Sequence, residues 1–389
     1  MTGERLDKLP RWIWAAVPLA LLVGSVILFL STDPLKPLGV TAPPVEQLTV
    51  EQTNLDDNGI HLKVRANGSQ PMRIAQVMVD EAYWRYSQEP SGPLPRLSSA
   101  WITIPYPWVK HELHEVTFIT HTGITFTHTI EVAQPTPEWN LQRVLAYILL
   151  GIYIGVIPVG LGLLFYPWLK TLGARGIQFI LALTLGLLAY LFIDTLLEGF
   201  ELAGQASEAF EGGLLVWLVT GLSFLGIFAV GRSGGKAPSG ISLATYLALG
   251  IGLHNLGEGL AVGAAMASGE AALGSFLVVG FVLHNVTEGI GIAAPLLDRK
   301  TSLLTFVGLT LLAGLPAAVG TLLGAVSYAP HWGAVLFAVG AGAILQVLVE
   351  IGAYFYLQAR KEEALSAANL AAFLLGVGIM YATALIVTV

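Results

Sequence analysis

The sequence predicts a mainly α membrane protein: an eight-helix transmembrane bundle preceded by one N-terminal transmembrane helix and a small extracellular β-sandwich. Three observations carry this. Apolar residues make up 54% of the chain and charged residues 12%, with a mean hydropathy of +0.71, whereas soluble chains carry about 25% charged residues. Lysines and arginines recur in alternate short loops. One section, 37–137, abandons long apolar runs for short alternating ones.

The first span, 12–30, reads "WIWAAVPLALLVGSVILFL". It exceeds the about 7–15 apolar residues of a signal peptide, and no A-x-A site follows, so segment 1–36 is read as a cytoplasmic tail with an uncleaved anchor. Eight further spans fall at 142–167, 176–199, 213–231, 241–268, 271–296, 302–327, 332–357 and 367–388, within a bundle domain of 138–389. Each meets the length of about 20 residues that a bilayer demands of a helix. Arg5, Lys8 and Arg11 precede the first span, and the later basic residues fall in alternate loops: Lys170 and Arg175, Arg232 and Lys236, Arg299 and Lys300, Arg360 and Lys361. The loops between them, "FELAGQASEAFEGG", "ASGEAA" and "YAPHW", have none. Positive charge stays on the cytoplasmic side, so a multi-pass cell-membrane protein is expected, with nine crossings, a cytoplasmic N-terminus and an extracellular C-terminus.

In section 37–137 the stretches "GIHLKVRA", "MRIAQVMVD", "AWITIPY", "EVTFIT" and "ITFTHTIEVA" alternate apolar and polar residues. Turn signals "DDNG", "PSGP" and "HTG" separate them, as in an antiparallel sandwich. The absence of cysteine excludes disulfides and thiolate metal sites, and five methionines argue against a soft copper pathway. A net charge of -7 identifies no partner. The lipid bilayer is an expected partner, and no basic nucleic-acid-binding surface is present. A homodimer and an unknown partner of the extracellular β-domain stay open.

Two spans carry related polar groups: "GLHNLGEGLAVG", 252–263, and "VLHNVTEGIGIA", 282–293. Ionisable residues inside a membrane are costly and mark function by default. A lone histidine or glutamate would equally suit a helix–helix hydrogen bond; a repeated constellation fits that less well. His254 and Glu258 are spaced i, i+4, as are His284 and Glu288, so each pair shares a helix face. A turn near Gly269 would fold the two motifs to one depth. Two imidazoles and two carboxylates then offer about four ligands and a charge that one divalent cation cancels. Mixed nitrogen and oxygen donors suit Zn²⁺, Fe²⁺, Mn²⁺, Co²⁺ or Cd²⁺. Asn255 and Asn285 stand ready as amide-oxygen ligands or as supporting hydrogen-bond partners. Gly252, Gly257, Gly259, Gly263, Gly289 and Gly291 allow close packing or leave room for an ion.

"HNLGEG" and "HNVTEG" resemble the paired motifs on the fourth and fifth helices of the ZIP family of divalent metal transporters. The likeness covers the eight helices from 142 to 388, with "LGLLAYLFIDTLLEG" similar to the second and "GAGAILQVLVEIG" to the seventh. It implies that His254, Glu258, His284 and Glu288 form the primary transport site, with Asn255 and Asn285 contributing. It also implies that Asp194 and Glu198 lie at the outer entrance and Glu350 on the exit. Ala317 stands where many members carry a second-site glutamate, and Asn285 where some carry aspartate, so one ion is expected rather than two. Gly257 and Thr287 replace the motif prolines. The resemblance implies transport from outside into the cytoplasm, Zn²⁺ first among the cargoes, with no catalytic cofactor and no enzymatic activity. A metal sensor that binds without transport is the alternative; an intramembrane metal-dependent hydrolase is another, but no HExxH is present, and "HELH", 111–114, has the wrong spacing. His61, His111, His114, His121 and His128 place five of the eight histidines in the β-section, where metal capture competes with an ordinary solvated-sheet role.

Overall fold

In a computed structural model the described residues are 11–32, 45–136, 140–206, 211–232, 238–267, 271–297, 299–327, 330–358 and 364–387. Contacts divide the chain into two compact units, Met1–Val45 and Glu46–Val389. The first contains helix α1, Arg11–Thr32.

The second unit begins with eight strands: β1 Leu48–Asp56, β2 Gly59–Ala66, β3 Ile74–Val79, β4 Ala82–Trp84, β5 Ser87–Glu89, β6 Ser99–Ile104, β7 His114–Thr120 and β8 Thr125–Ile130. They form two antiparallel four-stranded sheets, ordered β1-β2-β6-β5 and β4-β3-β7-β8. The alternation does the sorting: Ile60, Leu62 and Val64 from one sheet and Val77, Val79, Val116 and Phe118 from the other join one buried core. The strand β1 escapes the alternating pattern because a bulge between Val50 and Gln52 shifts its register. At the β1–β2 turn Gly59 adopts φ +130, and a Cβ there would collide with the carbonyl of Ile104.

Helices follow: α2 Leu141–Gly151, a π-turn Ile152–Val156, α3 Ile157–Leu163, α4 Tyr166–Leu169, α5 Ala174–Gln205, α6 Gly212–Gly231, α7 Ile241–Ala267, α8 Ala271–Ala293, α9 Leu303–Ser327, α10 Pro330–Gln358 and α11 Ala367–Val387. Among the described residues seven stretches are long and apolar enough to cross a membrane: Leu141–Leu169, α5, α6, Gly274–Leu296, and the greater parts of α9, α10 and α11. This is fewer than the nine expected. Helix α1 has 22 residues, with an apolar run of Ala16–Leu28 among the described side chains, and α7 is lowered in hydropathy by its own His, Asn and Glu. Length and burial still give α7 a central place: it has 27 residues, and Gly259 rests directly on the backbone of Ala317 in α9.

Two local features differ from an even run of helices. The stretch expected as one span, 142–167, is one helical span, Leu141–Leu169, that contains a π-turn where Pro158 cannot donate to the Ile154 carbonyl. In contrast α7 and α8 run unbroken through their motifs. With Gly257 and Thr287 in place of proline no backbone donor is lost, and the Thr287 hydroxyl donates to the His284 carbonyl at 2.6 Å. The expected turn near Gly269 lies outside the described residues.

Candidate metal centre

Helices α7 and α8 place both motifs at one depth. The rings of His254 and His284 have centroids 6.2 Å apart. His254 Nε2 lies 2.8 Å from Glu258 Oε1, and His284 Nε2 lies 2.5 Å from the same oxygen. Ligand atoms of His254, Glu258 and His284 all fall within 4.8 Å of one another, the one such group of His, Asp or Glu among the described residues. All three side chains are buried. The fourth expected ligand, Glu288, is outside this trio; it is buried, with neither carboxylate oxygen hydrogen-bonded. It also lines a small cavity walled by Leu187, Leu191, Leu247, Ile251 and Met380. The cavity measures ≈ 10 Å³, about enough for one water molecule.

Asn255 and Asn285 are wholly buried and work in parallel. Asn255 Nδ2 donates to the Ala313 carbonyl in α9 at 3.0 Å, and Asn285 Nδ2 donates to the Ile154 carbonyl at 2.8 Å. The second bond supplies the donor that Pro158 lacks, so the π-turn is tied to α8. In both residues Oδ1 has no hydrogen-bond partner, as is true of Glu258 Oε2. Native interiors rarely leave such atoms unpaired, and a cluster of them marks a place for an ion or water. Ala317 packs with Ile154 and Val262 against Gly155. A longer acidic side chain at 317 has no room without moving the π-turn.

The remaining predicted residues are spread along the bundle. Asp194 is half-buried on α5, and Glu198, one turn on, is exposed. Glu350 is 2% exposed on α10, apart from the trio, and is held by Arg232 through Nε–Oε1 at 3.1 Å and Nη2–Oε2 at 3.4 Å. Arg232 also sits over the Phe228 ring at 4.3 Å. Sequence reading missed this partner, 118 positions away, as well as Thr195, whose hydroxyl lies 3.1 Å from His254 Nδ1. It also missed Gln346, fully buried on α10 with neither amide atom hydrogen-bonded.

The β-section histidines do not converge. His114 is fixed between Asp80 at 2.8 Å and the Val109 N–H at 3.0 Å, His61 pairs with Asp56, and His128 meets Thr53.

The family model described as ZIP Zinc transporter matches residues 231–384. Among curated proteins none matches the chain. The matched stretch runs from the end of α6 into α11 and includes both motifs, so residues 231–384 are similar to that family, and the seven apolar helices make the chain a multi-pass membrane protein.

Proposed function

We propose that the chain carries divalent transition-metal ions, Zn²⁺ first among them, from outside the cell into the cytoplasm. The observation that supports this most is the buried trio of His254, Glu258 and His284. Its nitrogen and oxygen donors suit a borderline cation, and the surrounding unpaired oxygens of Glu288, Asn255 and Asn285 give an arriving ion somewhere to go. In this reading segment 1–36 anchors the chain, 37–137 is an external β-domain and 138–389 is the transport domain, with the sides assigned from the basic loops.

Asp194 and Glu198 attract the hydrated ion at the outer mouth. The trio replaces its water, and Glu288 takes part in holding or handing on the cargo. Inward movement requires the apolar walls of the small cavity to separate. Glu350 assists release once Arg232 lets it go. The neutral Asn285 and the crowded Ala317 favour one ion at a time. The reading assigns no catalytic residue.

The test is Zn²⁺ uptake into proteoliposomes by the wild type and by Glu258→Ala combined with Glu288→Ala. The double variant is expected to fall to the level of empty vesicles, a loss of about 100-fold or more, as removal of central ligands implies. Uptake at the wild-type rate would sink the proposal. Stoichiometric binding by a wild type that never carries Zn²⁺ would identify a sensor.

A further inference from the structure

Thr195 is 2% exposed on α5, one residue past Asp194. Valine has the same shape and would fill such a site without a polar group, so a hydroxyl there calls for a partner. It has one: Oγ1 lies 3.1 Å from His254 Nδ1, across 59 positions of sequence. We propose that Thr195 is a positioning residue for the metal site, accepting the Nδ1–H of His254 so that Nε2 presents its lone pair to the cargo ion.

The direction of this bond follows from the chemistry of imidazole. A neutral ring has one N–H, and the nitrogen without it is the ligand. Were the threonine to donate, the proton would sit on Nε2 and that nitrogen could not bind metal. Nε2 is 2.8 Å from Glu258 Oε1, so one cation could take that nitrogen and that carboxylate oxygen together. Because Thr195 and His254 stand on different helices, the bond also orients the ring plane. Ligating histidines generally need such a partner on their other nitrogen.

The inference rests on His254 being a ligand, as proposed above. Zn²⁺ binding by the detergent-solubilised full chain and uptake in proteoliposomes are to be measured for wild type, Thr195→Val, Thr195→Ser and His254→Ala. Thr195→Val is expected to weaken binding and raise KM about 10-fold or more, leaving kcat within about twofold, while Thr195→Ser restores both. A wild-type KM for Thr195→Val, with His254→Ala unable to bind, overturns this inference alone. Equal impairment of the valine and serine variants overturns it too, because that marks simple packing. Normal binding by His254→Ala overturns both this inference and the reading of His254 as a ligand. If Thr195→Val does not fold, the ¹⁵N spectrum of the metal-free wild type decides: the His254 signal, identified by its loss in His254→Ala, must show the proton on Nδ1, and a proton on Nε2 refutes the proposal.

Discussion

The β-sandwich and the candidate metal centre of the helical bundle treat their carboxylates in opposite ways. In the sandwich Asp80 is saturated: Tyr106 OH donates to Oδ2 at 2.6 Å, the Glu115 N–H to Oδ1 at 2.9 Å, and His114 Nδ1 meets Oδ2 at 2.8 Å. Glu51 likewise grips Arg65 through both oxygens. In the bundle Glu258 keeps one oxygen unpaired and Glu288 keeps two. The first arrangement holds a fold together. The second leaves hydrogen-bonding and coordinating capacity that the fold itself does not use.

The largest expected effect tests that contrast directly. At Zn²⁺ about 100-fold above Kd, wild type should gain about 2.7 kcal/mol of stability, visible as a raised Tm in detergent. Glu258→Gln should abolish that gain while unfolding no earlier than wild type in metal-free buffer. Earlier unfolding without metal would show that the carboxylate supports the fold after all. A smaller effect is expected at the proposed outer mouth, where Glu198 is exposed and Asp194 half-buried. Asp194→Asn with Glu198→Gln should raise the KM for uptake roughly threefold at low salt, with the difference fading as ionic strength rises. A salt-independent defect would place them among the direct ligands.

The smallest effect lies in the sandwich. Tyr106→Phe should cost about 1 kcal/mol of local stability and leave uptake unchanged. Its bond to Asp80, with burial and the charges of Asp80 and Glu112 adding, pushes the Tyr106 hydroxyl from its ordinary 10.0 up to about 12. This stabilisation is complete below pH 10 and is lost as pH rises towards 12. Burial raises the Asp80 carboxyl, but the bonds from Tyr106, the Glu115 N–H and His114 outweigh it and leave the group below its ordinary 3.8. That contribution is present above pH 3.8 and lost as pH falls through the lowered value. Fluorescence of Trp84, whose ring lies 5.0 Å from Tyr106, should report both limbs, with the alkaline one absent in Tyr106→Phe.

Much of this architecture is legible from local pattern. Apolar runs locate the long helices within a few residues, and alternation finds β2 and β7, because both depend on neighbours along the chain. What pattern does not reveal depends on distant partners. The bulge in β1 hides its alternation, and the π-turn ahead of Pro158 shows only once its bonding is known. At the site, i, i+4 spacing brings out His254 with Glu258 and His284 with Glu288, but their symmetry in sequence is not symmetry in space. Glu258 faces both histidines, and Glu288 turns towards the cavity. No local signal distinguishes Thr195 from any other threonine in an apolar helix, or shows that Glu350 is claimed by Arg232.

The bond from Asn285 to the Ile154 carbonyl constrains what can replace either residue. An ionised aspartate at 285 would add the negative charge a second ion requires, but it has no N–H to offer, and Pro158 cannot take its place. An acidic residue at 285 would therefore leave the Ile154 carbonyl without its side-chain donor unless residue 158 regained a backbone N–H, so the two positions are coupled through that one carbonyl.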